Sequence, residues 1–90
     1  MQAFYFTYGS EGQPFRGGWT IVYAETWRQA EQIFLAVHPL KDGFIPCCTM
    51  YAEEDFKKTI MYKNGNNLGA GTQETIEIKR VVFGKEEKYD

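Results

Sequence analysis

The succession of periodic segments in this 90-residue chain predicts an α+β domain of two layers. The expected arrangement is a four-stranded, mostly antiparallel sheet with two helices on one face, in the order β-β-α-β-α-β. Three observations carry it. The chain opens on strict alternation of β-favouring residues. A strand joined directly to an amphipathic helix follows. Two stretches rich in glycine or asparagine then set off the remaining segments.

The strand–helix stretch Trp19–His38, WTIVYAETWRQAEQIFLAVH, organises the rest. Trp19, Ile21 and Tyr23 alternate with Thr20, Val22 and Ala24, so both faces are largely apolar and a central strand is expected. Thr26 is a good N-cap, and Gln29 three residues on completes a capping box. Trp27, Ala30, Ile33, Phe34 and Val37 fall on one helical stripe, with Arg28, Gln29, Glu31 and Gln32 opposite. Pro39 ends the helix, because the residue before a proline is pushed out of helical space.

In chain order, Phe4, Phe6 and Tyr8 alternate with Ala3, Tyr5 and Thr7 in a first strand, Gln2–Tyr8. The loop Gly9–Gly18, with four glycines and a proline, excludes regular structure. It is long for a hairpin connection, and Phe15 and Arg16 are its candidate recognition tip. Pro39–Gly43 reads as a turn and Phe44–Tyr51 as a third strand, with Pro46 suiting a strand start or an edge. Ala52–Met61 reads as a second helix. Its acids Glu53, Glu54 and Asp55 favour the first turn, Lys57 and Lys58 can pair with them, and Ala52, Phe56 and Ile60 make a narrow apolar stripe. Lys63–Thr72 is a polar loop carrying Asn64, Asn66 and Asn67. Gln73–Phe83 is the last strand, with Ile76, Ile78 and Val82 on one face and a bulge or edge position near Arg80. One domain spans 1–90, with 84–90 a frayed, charged tail.

Both helices on one face would leave Tyr and Phe side chains bare on the other. A large uncovered apolar face marks an interface, so a homodimer or a protein partner is expected. Aromatic residues make up 17% of the chain, more than one modest core requires, which favours the same view. A net charge of −2 argues against direct nucleic-acid binding. No apolar run approaches a membrane span, and the N-terminus lacks a basic region and a cleavage-like site. Adjacent Cys47 and Cys48 do not staple a fold, so free thiols in a reducing cytoplasm are expected.

Catalytic chemistry finds little support. Cys47 or Cys48 with His38 could be a nucleophile and its base, but adjacent strand residues face opposite ways, and core packing explains a free cysteine better. Two adjacent cysteines and one histidine lack zinc spacing, and the acids form no placed catalytic pair. The glycine pairs lead into strands rather than helices, so neither is a dinucleotide or phosphate-loop fingerprint. Backbone amides near Arg16 or Lys63 could still cradle a phosphate. No catalytic residue, metal ligand or cofactor is assigned.

Phe6-Thr7-Tyr8-Gly9, Pro14-Phe15, Gly17-Gly18-Trp19-Thr20, His38-Pro39 and Cys47-Cys48 together resemble a pattern in small uncharacterised proteins of bacteriophages and mobile elements of Gram-positive bacteria. The similarity covers roughly the first two-thirds of the chain and contains no catalytic motif, so no site residue transfers. It implies a setting in the bacterial host cell and action by binding, including inhibition of host defence proteins. The leading expectation is a small non-catalytic protein that inhibits a host protein by occupying its surface, through Phe15, Arg16, Trp19, Asn64, Asn66 and Asn67. The alternative is a sponge that sequesters a nucleotide-like small molecule. A small cysteine-dependent enzyme comes third.

Overall fold

A computed structural model describes residues 1–9, 13–64 and 71–77. The chain forms strands β1 (Gln2–Thr7) and β2 (Gly18–Ala24), helix α1 (Trp27–Val37), strand β3 (Thr49–Ala52), helices α2 (Glu53–Phe56) and α3 (Ile60–Asn64), and strand β4 (Gly71–Glu77). The strands make one sheet in the order β3-β1-β2-β4. β1 pairs antiparallel with both β2 and β3, whereas β2 and β4 run parallel, so the sheet is mixed. The α+β class and the four strands are as the sequence predicts.

The helices do not share a face. Phe4, Phe6 and Tyr8 point to one side, where Phe6 stacks on Phe34 of α1 at 4.3 Å. Ala3 and Tyr5 point to the other, where Tyr5 stacks on Phe56 of α2 at 4.2 Å. The period of two in β1 therefore places α1 and α2 on opposite faces of the sheet. This corrects the two-layer arrangement and covers much of the face expected to be bare. The argument for a homodimer from that face falls with it.

Local chemistry explains the element ends. Thr26 Oγ1 accepts from Gln29 N–H at 3.1 Å, while Gln29 Oε1 accepts from Glu25 N–H at 2.6 Å, so the capping pair forms one residue wider than a standard box. Thr26→Ala is expected to lower stability by about 1 kcal/mol, read as a shifted urea midpoint at constant slope. Trp27 lies at the edge of the helical stripe; its ring packs on Phe4 at 4.7 Å, yet it stays exposed.

The third strand is shorter than expected. Cys47 N–H donates to Ile45 C=O at 2.9 Å across Pro46, a γ-turn that pairing cannot continue through. The second helix breaks in two at Thr59. The Thr59 hydroxyl donates to Phe56 C=O at 2.7 Å and accepts from Tyr62 N–H at 3.1 Å, closing α2 and capping α3. Ile60, expected on the buried stripe, is consequently 75% exposed. Lys57 pairs with Glu53 at 3.1 Å, as the spacing predicts. The final strand is described as far as Glu77; Ile78, Arg80, Val82 and the tail lie outside the described residues.

β4 carries a bulge that the fold uses. Trp19 pairs with Thr72 and Thr20 with Glu74, so Gln73 is the extra residue. Two residues apart in a regular strand, Thr72 and Glu74 would face the same way. The inserted residue sends them to opposite faces. Thr72 Oγ1 accepts from the Trp19 indole N–H at 2.7 Å on the α2 side, and Glu74 meets Thr20 on the α1 side.

Candidate functional site

Four side chains from four parts of the fold form a continuous polar chain at the end of α1. Tyr8 lies just beyond β1, Thr20 on β2, Glu74 on β4, and His38 is the C-cap of α1. Tyr8 Oη and Thr20 Oγ1 are 2.5 Å apart, and Thr20 Oγ1 donates to Glu74 Oε1 at 3.0 Å. The Thr20 proton is thus spent on the carboxylate, so Tyr8 donates to Thr20. His38 Nε2 lies 2.7 Å from the same Oε1, which can only accept, so the ring carries its proton on Nε2. The His38 ring packs against Phe34 at 5.1 Å and edge-on to Phe15 at 6.0 Å. Burial pushes the Tyr8 phenol above its usual range, so it stays a neutral donor.

A carboxylate-oriented imidazole is half of a nucleophilic site, and Cys47 packs against the same core cluster. Its electrostatics oppose that chemistry. Burial, then Cys48, then Glu31 push the Cys47 thiol up to about 11, away from the thiolate a nucleophile needs. The unfolded chain loses this proton first as pH rises, so stability is expected to fall between the ordinary thiol value of 9.0 and about 11. Cys48 is exposed and Cys47 half-buried. A maleimide should therefore modify Cys48 alone in the folded protein and both thiols after denaturation, which intact-mass measurement counts. Among the described residues, no cluster of three or more His, Cys, Asp or Glu is arranged to hold a metal ion.

The sequence-predicted site residues separate. Gly18 N–H donates to Phe15 C=O at 2.8 Å, closing a turn whose third position, Gly17, has φ 85°, as a type II turn requires. That turn folds Phe15 inward onto Tyr8 at 5.7 Å, so Phe15 is not an exposed tip. Arg16 is exposed at the turn. Trp19 is 6% exposed and packs on Phe56 at 4.9 Å, so it belongs to the core rather than to a surface. Asn64 closes α3, while Asn66 and Asn67 lie outside the described residues.

A surface that the sequence reading passes over lies just after His38. Lys41 and Phe44 exchange both backbone hydrogen bonds, at 2.8 and 3.0 Å. Asp42 and Gly43 between them have φ 55° and 83°, the two positive values of a type I′ turn. The turn carries Leu40 and Phe44 outward, 57% and 75% exposed, with the half-exposed Val37 nearby in sequence. The turn expected over Pro39–Gly43 is present, shifted to Lys41–Phe44, and its Asp-Gly pair is the strong short-range signal for this hairpin type. A groove of about 430 Å³ opens at the far end of β1, among Met1, Ala3, Ala52, Glu53 and Lys57. It contains none of the polar chain.

No protein-family model matches the chain, and no curated protein or solved structure is significantly similar to it. The described residues include no helix long and apolar enough to cross a membrane.

Proposed function

We propose that the chain is a non-catalytic interaction module that acts by occupying a partner protein's surface through the Leu40–Phe44 turn. The observation that supports this reading is the outward presentation of two large apolar side chains on a closed type I′ turn. Large side chains on a preorganised backbone lose little freedom on binding, which is how a few residues come to dominate an interface. The sequence resemblance to small phage and mobile-element proteins is what favours a host defence protein as the class of partner and inhibition by coverage as the mode. Phe15 and Trp19 then serve by holding the fold.

The test is paired affinity capture from Gram-positive host cells, using the tagged chain and its Leu40→Ser/Phe44→Ser variant. One host protein retained by the parent and lost from the equally stable variant is the expected result. Equal retention by both, or by neither, contradicts the assignment.

A further inference from the structure

The interaction turn sits between two fixed feet, and they are held differently. After the turn, Ile45 and Cys47 pack against the core, and Cys48 N–H donates to Thr7 C=O at 2.6 Å. Before it stands His38. Its N–H caps α1 on Phe34 C=O at 2.8 Å, and its ring reaches Glu74 at 2.7 Å. Pro39 follows directly, with a fixed φ that passes the setting of His38 on to Leu40. The Glu74 carboxylate is itself aimed by Thr20 and, behind it, by the buried Tyr8. It faces the α1 side only because of the bulge at Gln73.

Resting on the binding reading above, we infer that the His38–Glu74 hydrogen bond is a latch that sets the pose of the Leu40–Phe44 turn, making both residues positioning residues for partner binding. The His38–Glu74 bond ties the first foot of the turn to an edge strand. Opening that bond frees the first foot while the second stays packed.

Hydrogen exchange followed by NMR tests this without any partner. His38→Leu keeps an apolar side chain between Phe15 and Phe34 but removes the donor. Glu74→Leu removes the acceptor, and Glu74→Gln keeps it. Each leucine variant is expected to speed exchange at the Lys41 and Phe44 amides about tenfold, the scale of one hydrogen bond to a charged group. Glu74→Gln should stay close to the parent, and the double leucine variant should add little to either single one. Amides in the middle of α1 and of β1 should be unchanged. Unaltered exchange at the turn overturns the latch. So does equal acceleration across the sheet, because the bond would then only stabilise the whole fold. If Glu74→Leu fails to fold, His38→Leu decides alone, since it leaves the Tyr8–Thr20–Glu74 bonds intact. With no partner in the experiment, its failure is distinct from failure of the binding reading, which the capture experiment measures.

Discussion

Phe56→Ala is expected to lower stability by about 3–5 kcal/mol, as much as Phe34→Ala on the opposite face of the sheet. Phe56 is fully buried. Its ring stacks on Tyr5 at 4.2 Å with 9° between planes, and it meets Trp19 at 4.9 Å and Tyr51 at 5.8 Å. It comes from a helix of only four residues, far too short to persist without tertiary contact. The single phenyl ring is therefore the main attachment of the α2–α3 layer, and its loss would leave Tyr5 and Trp19 facing water. Small domains have about 5–15 kcal/mol in total, so either substitution removes a large fraction. Urea unfolding of the two variants measures both costs. A Phe56→Ala cost below about 1 kcal/mol would mean that the second face is not a core.

The second large effect concerns binding. Phe44→Ala is expected to weaken partner affinity about 30-fold or more, the scale of an aromatic hot spot of about 2 kcal/mol. Its stability should stay within about 0.5 kcal/mol of the parent, because the side chain is 75% exposed and the turn is closed by backbone bonds. Phe15→Ala should do the reverse. It removes an edge contact to both Tyr8 and His38, so it lowers stability and loosens the first foot of the turn. Calorimetric titration of the captured partner, with thermal melts of each variant, separates the two patterns.

The α+β class, the first two strands and α1 were legible because they rest on periodicity and on a named cap, Thr26. The two-sided core was written in β1 as well: Phe4 and Phe6 alternate with Ala3 and Tyr5, so both faces are apolar. Placing both helices on one side leaves the other apolar face bare, whereas α2 covers it. The parallel pairing of β4 had no local signal, since strand direction depends on the path of the whole chain. The split at Thr59 follows from one hydroxyl that bonds backbone on both sides, a competition that helix periodicity does not register. For the site, aromatic residues in a glycine-rich loop suggested exposure, but the turn at Gly17 folds Phe15 inward. Glu74 carries no local signal of its own, and only the bulge at Gln73 brings it to Thr20 and His38. Phe44–Tyr51 reads as one strand, but the turn at Pro46 leaves Phe44 in the preceding hairpin and confines the strand itself to Thr49–Ala52.

Site-directed photo-crosslinking in host cells examines the binding surface most directly. A benzophenone-bearing phenylalanine analogue placed at Phe44 is expected to give one discrete adduct with a host protein. The same analogue at Arg28, exposed on α1, should give none. An adduct from position 28 equal to that from position 44, or no adduct from 44 under conditions where the partner is captured, would contradict a binding surface at the Leu40–Phe44 turn.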